Sequence, residues 1–216
     1  ALLSAAKAAA GVREAYKYGI RTVDPKTDWD AVKAHVAAAI ATIAPVDSQE
    51  RFEGLGVTVI REAARFADKK TIVSESSRTQ ARRIIIATGS RAFTPPIEGL
   101  KEVPYLTNET IFTVPDLPRH LVILGGGPIG LEMAQAHVRL GSKVTVIEGA
   151  KAMGNDDPEM AEVVLSNLRA EGVEIVEGQQ AEHISEKDGV ISVKTPGGTY
   201  EGSHLLMAVG RKVNID

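Results

Sequence analysis

The stretch ILGGGPIGLEMAQAHVRLGSKVTVIE, from Ile123 to Glu148, predicts the fold of the region around it. An apolar strand runs into a glycine-rich loop, a segment of helical period follows, and a second apolar strand ends at the glutamate. Within the loop, Gly125, Gly127 and Gly130 have the spacing GxGxxG. This spacing, placed between a strand and a helix, is typical of a βαβ unit that binds a dinucleotide.

Each part of this motif has a physical role. We expect Gly125 to allow the tight turn, Gly127 to let the backbone approach a pyrophosphate, and Gly130 to let the helix pack closely on the strand. The helix N-terminus would stabilise the phosphate charge. Glu148 ends the second strand, where an acid binds the adenosine ribose and repels a 2′-phosphate, so the motif predicts NAD(H) rather than NADP(H). The alternative is a glycine turn and a strand-end glutamate that bind no ligand.

The composition of the 216-residue chain narrows the classes of function. The formal net charge is −3, which gives no positive field for nucleic acid or an anionic membrane. The chain has no cysteine, which excludes disulfides, thiolate zinc sites and cysteine nucleophiles within these residues. Its five histidines are scattered without metal-ligand spacing, so we expect no metal site. We expect a cytoplasmic protein with a small-molecule partner, no nucleic acid and no membrane contact.

The N-terminal half of the chain reads as helices followed by strands. Helices are predicted from Ala1 to about Lys17 and from about Asp28 or Trp29 towards Glu53, the second kinked by Pro45. Strands are then predicted over residues 57–62, 63–67, 71–76 and 81–90. A proline-rich stretch without sustained periodicity follows, and we place a domain boundary at 114–117.

Beyond that boundary, strand and helix patterns alternate. Strands are predicted over residues 120–126, 143–148 and 173–178, with helices over 128–141 and 158–172 between them. Asp157 is expected to cap the second helix, followed by Pro158 in the first turn. Asp188-Gly189 predicts a hairpin between strands at 182–187 and 190–195, and a last apolar strand covers 203–210. The pattern predicts a Rossmann-like βαβ fold with an antiparallel insertion.

Several motifs together resemble one protein family. The motifs of this family occur here in the family's own order. Along the chain they are the opening ALLSAAK, GVTVIREAARF at 56–66, ATGS at 87–90 followed by PPIEGL, GGGPIGLE at 125–132 and AVGRKVN at 208–214. The chain is similar to the class I pyridine nucleotide-disulfide oxidoreductases, the flavoprotein disulfide reductases. Within them it is most similar to dihydrolipoamide dehydrogenase and mercuric-reductase-like enzymes.

The resemblance implies an α/β fold with two cofactor-binding domains. It implies a partial FAD-binding domain over 1–115, an NAD-binding domain over 116–211 and a return towards the FAD domain over 212–216. The candidate NAD(H)-binding residues are Gly125, Gly127, Pro128, Ile129, Gly130, Glu132, Glu148, Ala181, Ala208 and Gly210. The candidate FAD-binding residues are Ala64, Ala87, Thr88 and Gly89.

Two of these assignments have simple structural alternatives. Glu132 lies early in the helix, where a carboxylate favours the helix dipole, whereas the resemblance implies contact with the nicotinamide ribose or carboxamide. Thr88 and Gly89 could be only a strand end and a turn. The neighbouring motifs favour the cofactor role for Thr88 and Gly89, whereas both roles stay open for Glu132.

The family's other hallmarks are absent from these residues. There is no first GxGxxG for the FAD diphosphate and no cysteine pair, and the dimerisation domain would follow the last residue. We therefore expect a fragment without catalytic residues, from a homodimer that passes electrons between dihydrolipoamide, or another thiol or disulfide, and NAD⁺ through FAD and a cysteine pair. The alternatives are a soluble transhydrogenase, a mercuric-reductase-like flavoenzyme or a non-catalytic NAD-binding module. A monooxygenase-type flavoprotein fits the order of motifs less well.

Overall fold

A computed structural model describes residues 1–215, which form two compact units. The larger unit comprises Ala1–Ala37 and Ser90–Lys212, and the smaller one comprises Ala38–Gly89 and residues 213–215. These units do not coincide with the ranges 1–115, 116–211 and 212–216, because the N-terminal helix and the segment after Ser90 pack with the central sheet. The assignment of those ranges to FAD or NAD stays a prediction.

The regular elements alternate in the C-terminal half, as the sequence pattern predicts. The helices are α1 (Leu2–Glu14), α2 (Trp29–Ile43), α3 (Gln49–Gly54), α4 (Pro128–Leu140) and α5 (Pro158–Ala170). The strands are β1 (Arg65–Asp68), β2 (Thr71–Val73), β3 (Arg78–Gln80), β4 (Ser90–Ala92), β5 (His120–Leu124), β6 (Lys143–Ile147), β7 (Glu174–Val176), β8 (His183–Lys187), β9 (Val190–Thr195), β10 (Gly198–Gly202), β11 (His204–Met207) and β12 (Arg211–Val213). Short 3₁₀ helices lie at Ala15–Tyr18, Ala44–Asp47, Leu100–Glu102 and Ile111–Thr113.

A four-stranded parallel sheet, ordered β11-β5-β6-β7, is the centre of the larger unit. Successive residues of β5 face opposite sides: Leu121 belongs to one hydrophobic cluster and Val122 to the other, both fully buried. Residues of α4 and α5 form the first cluster together with the sheet, and residues of β8 and β9 complete the second. Because the sheet is buried on both faces, the sequences of its strands are nearly continuous runs of apolar residues. The predicted βαβ fold is confirmed.

The helices beside this sheet begin and end at the predicted signals. Gly127 is the N-cap of α4, and Gly141, with φ +109°, ends the helix in the left-handed conformation. Asp157 caps α5 by accepting from the N–H groups of Glu159 at 3.0 Å and Met160 at 3.4 Å. The Asp157 side chain thus satisfies N–H groups that the start of a helix leaves without an intrahelical partner.

The antiparallel insertion is confirmed and is one strand larger than predicted. Asp188 (φ +52°) and Gly189 (φ +75°) both have positive φ at the turn between β8 and β9, as a tight hairpin requires. A second turn brings β10 back along β9, with Gly198 opposite Thr195. The resulting sheet, ordered β10-β9-β8, covers one face of the parallel sheet.

Near the N-terminus, the long predicted helix is interrupted where Pro45 occurs. The structure has α2, a 3₁₀ turn and then α3, which confirms the expected effect of the proline. Trp29, at the start of α2, is buried, and its indole N–H donates to the Val114 carbonyl at 3.1 Å. Its ring centroid lies 6.2 Å from that of His137 on α4. These contacts explain why the start of α2 belongs to the larger unit.

Two strand predictions in the smaller unit are wrong. Residues 57–62 form no strand, and of the run 81–90 only Ser90 is in a strand, at the start of β4. Val57 is 49% exposed and Ile85 is 90% exposed. An apolar run becomes a strand only when a neighbouring backbone pairs with it, and the described residues provide no such partner there. The antiparallel sheet β1-β2-β3 forms instead, and its third strand was not predicted.

Within residues 1–215, no helix combines the length and apolar character needed to cross a bilayer. The same residues contain no cluster of three or more histidine or acidic side chains that could hold a metal ion.

Candidate functional site

A cleft of about 620 Å³ opens at the carboxyl edge of the parallel sheet. Its floor includes the last residues of three adjacent strands, Leu124 of β5, Ile147 of β6 and Met207 of β11. The chain proceeds from β5 to β6 and β7 on one side, whereas β11 lies on the other side of β5. Such a reversal of strand order is where open α/β sheets bind their ligands.

Two glycines of the GxGxxG motif, Gly125 in the loop after β5 and Gly130 in α4, are required by the protein's own packing. Gly125 has φ +111°, and a Cβ there would lie 2.3 Å from the carbonyl oxygen of Ala208. A Cβ on Gly130 would lie 2.1 Å from the carbonyl oxygen of Gly125. Side chains at either position would displace backbone atoms, so the turn and the close approach of α4 to β5 both depend on glycine.

Gly127 is different, because the fold does not require glycine there. Its φ is −81°, a conformation open to any residue, and a Cβ would meet no protein atom within 4 Å. The residue nevertheless lines the cleft, so the missing side chain leaves space on the ligand side. The Leu131 N–H donates to the Gly127 carbonyl at 3.0 Å. The N–H groups ahead of it in the first turn have no acceptor within the helix, which suits an anion.

The carboxylate of Glu148 lines the cleft next to this loop and is held by two backbone donors. Its Oε2 accepts from the Gly126 N–H at 2.7 Å, and its Oε1 accepts from the Ala150 N–H at 2.9 Å. Each carboxylate oxygen can accept more than one hydrogen bond, so both retain capacity for a ligand hydroxyl. The arrangement gives a fixed negative charge at the edge of the cleft.

The structure brings most of the predicted NAD(H) residues together around the cleft. Its lining includes Gly125, Gly127, Pro128, Ile129, Glu148, Ala181, Ala208 and Gly210. Gly130 is buried and Glu132 is exposed on α4, and neither is among the residues that line the cleft. Their binding roles stay predictions.

The four predicted FAD residues belong to the smaller unit and are exposed. Ala64 immediately precedes β1, and Ala87 lies in the irregular segment before β4. The Thr88 carbonyl accepts from the Asn214 side-chain amide at 3.1 Å, and the Gly89 carbonyl accepts from the Asn214 N–H at 3.0 Å. Gly89 has φ +68°, which favours glycine. Their role towards FAD stays a prediction.

Some residues of the cleft were not predicted from the sequence. They are Phe93, Pro95, Ile97, Asn108, Asn155, Gln179, Gln180 and Val209, together with Arg211. Gln179 and Gln180 follow β7 at the same sheet edge as Glu148, so the order of the strands was a usable signal for them. Phe93 and Ile97 come from the segment between β4 and β5, whose position depends on tertiary packing.

Comparison with known proteins agrees with this geometry. Residues 7–216 match the family described as pyridine nucleotide-disulphide oxidoreductase. The chain belongs to this family. It is 32% identical to a mercuric reductase of Acidithiobacillus ferrooxidans over 91% of this chain and 37% of that protein. It is 32% identical to a mercuric reductase of Streptomyces lividans over 98% of this chain and 47% of that protein.

Two solved structures share the fold. The HOCl-induced flavoprotein disulfide reductase RclA from Escherichia coli superposes with a TM-score of 0.81 at 25% identity, covering 100% of this chain and 46% of that one. LpdA from Mycobacterium tuberculosis superposes with a TM-score of 0.80 at 22% identity, covering 97% of this chain and 48% of that one. This member of the pyridine nucleotide-disulfide oxidoreductase family thus spans less than half the length of the relatives it matches.

Proposed function

We propose that the cleft at the sheet edge binds NAD(H) and prefers it to NADP(H). The observation that carries this proposal is the juxtaposition of Gly127, which leaves open space at a helix N-terminus, with the anchored carboxylate of Glu148. The first feature fits a pyrophosphate, and the second fits the two hydroxyls of an unphosphorylated ribose. A ribose 2′-phosphate would meet a fixed like charge instead.

Members of the family use FAD together with NAD(P)H. We propose that Ala64, Ala87, Thr88 and Gly89 contribute backbone contacts to FAD in the intact protein. Gly89 supports this proposal, since a Cβ there would meet no protein atom within 4 Å and the backbone is open to close approach. When bound, FAD would supply the redox chemistry, and the contribution of this chain would be to bind and orient the two cofactors.

For the intact protein we propose a dithiol/disulfide oxidoreductase that links a small thiol or disulfide substrate to NAD(H), with dihydrolipoamide as the first substrate to test. A second candidate is a mercuric-reductase-like activity, supported by the names of relatives that are 32% identical. We further propose that the intact protein is a homodimer in the cytoplasm.

The nucleotide proposal is tested by exchanging the charge at one position. Glu148→Arg should weaken NADH binding at least tenfold and improve NADPH binding, because a cation would replace the anchored carboxylate. Glu201→Arg, an exposed position on β10, is the matched control and should change neither affinity. Calorimetric titration measures the affinity of each variant for NADH and for NADPH. An unchanged NADH to NADPH preference in Glu148→Arg would contradict the ribose assignment.

The substrate proposal is tested on the complete gene product loaded with FAD. NADH formation from NAD⁺ and dihydrolipoamide is measured in parallel with NADH oxidation by Hg(II). Turnover of dihydrolipoamide supports the first candidate, and turnover of Hg(II) alone supports the second. NADH binding without turnover of either would favour the non-catalytic nucleotide-binding module.

A further inference from the structure

We propose that Glu177 is a positioning residue for the nucleotide site, although its side chain does not line the cleft. The proposal rests on the proposed nucleotide binding and adds a residue outside the GxGxxG motif to it. Glu177 directly follows β7, in the strand-end region from which the cleft is built.

The carboxylate of Glu177 joins two segments that are distant in sequence. One oxygen, Oε1, accepts from the Ala152 N–H at 2.9 Å. The other, Oε2, accepts from Nη2 of Arg169 at 2.8 Å, in the last turn of α5. The ion pair is about one-third exposed on both sides, so we expect it to contribute little. The hydrogen bond from the Ala152 N–H therefore anchors the loop after β6 to the end of β7.

The loop after β6 packs against Gly126, in the glycine-rich loop after β5. Ala152 is only 3% exposed, and a Cβ on Gly126 would lie 2.9 Å from the Ala152 Cβ. The next N–H, of Met153, donates to the Gly126 carbonyl at 2.9 Å. Met153 itself has φ +52°, a conformation that a non-glycine residue keeps only when its surroundings hold it there. The position of Gly126 therefore depends on the loop that Glu177 anchors.

A hydrogen bond connects Gly126 to Glu148, the proposed ribose-binding residue. The Gly126 N–H donates to Oε2 of Glu148, so contacts connect Glu177 to Glu148 through Ala152 and Gly126. Removing the Glu177 acceptor frees the loop and, through Gly126, the Glu148 carboxylate. Backbone bonds from Gln179 and Gly178 to the β6 end of the loop remain, so we expect the fold to persist. The affected property is ribose recognition.

The test compares three variants. Glu177→Ala should raise the Kd for NADH about tenfold, the scale of one lost hydrogen bond to a charged group. The Kd for NADPH, measured by competition, should change less than about threefold, because Glu148 does not favour that ligand. Glu177→Gln keeps an oxygen acceptor for Ala152 and should restore NADH binding to within about threefold of wild type. Arg169→Met removes only the solvated ion pair and should also bind NADH nearly normally.

Four results separate this proposal from simpler explanations. Equal losses for NADH and NADPH in Glu177→Ala, with a lowered melting temperature, would mean a merely structural role and would overturn it. In a double-mutant cycle, Glu148→Ala and Glu177→Ala should be non-additive, and additive losses would also overturn it. If wild-type protein binds no NADH, the proposed function fails and this proposal with it, whereas normal NADH binding by Glu177→Ala refutes this proposal alone.

Discussion

Alanine at Gly127 and at Gly130 should separate ligand binding from folding. Gly127 is the N-cap of α4, and a Cβ there would meet no protein atom. Alanine is a poorer N-cap than glycine, so we expect a loss of up to about 1 kcal/mol in the free energy of unfolding. At about 2–4 °C per kcal/mol for a chain of this size, the melting temperature should fall by less than about 4 °C. The methyl group nevertheless enters the space next to the proposed pyrophosphate, and NADH affinity should fall at least tenfold, or about 1.4 kcal/mol.

Gly130→Ala is the contrasting variant. Its Cβ would lie 2.1 Å from the Gly125 carbonyl oxygen, far inside van der Waals contact, so α4 or the loop must shift. Overpacking of this kind costs about 1–3 kcal/mol, which corresponds to a fall of about 2–12 °C in melting temperature. The assays are thermal unfolding by circular dichroism and calorimetric titration with NADH. If Gly127→Ala binds NADH like wild type while remaining folded, the reasoning about its open side is refuted.

Further predictions concern stability. Burial lowers the pKa of His137, so the unfolded state takes up the proton first as the pH falls through about 6.5, and stability should decrease there. Thermal unfolding between pH 7.5 and 5.5 should show a smaller decrease in His137→Leu than in wild type, whereas exposed His35→Gln should behave like wild type; equal slopes in all three would contradict this. Asp157→Ala removes the α5 cap and should cost about 1 kcal/mol in urea unfolding, and no loss would show that water replaces the cap.

The sequence predicted the central βαβ unit well because its signals are local. Residues 120–148 carry an apolar run, a glycine turn and a helical period, and β5, α4 and β6 form where these occur. The cap at Asp157 and the hairpin at Asp188 could also be predicted from the sequence, because a capping side chain and a positive φ depend on neighbouring residues. The turn before β10 also had a local signal in Pro196-Gly197, which the prediction did not use.

The errors occurred where structure depends on partners distant in sequence. Ile85 lies in a run with the composition of a buried strand, yet no described strand pairs with it and its side chain is 90% exposed. Similarly, Phe93 and Asn155 line the cleft because the fold brings their segments to the sheet edge. Glu177 has no motif of its own, and its contact with Ala152 is visible only in three dimensions.

The central claim, that the cleft binds NADH, is tested most directly by calorimetric titration of the 216-residue protein with NADH, using NADPH in the same buffer as the comparison ligand. The account predicts saturable binding of one NADH per chain, at least tenfold tighter than NADPH. Absence of NADH binding by folded protein, or equal affinity for NADH and NADPH, would contradict it.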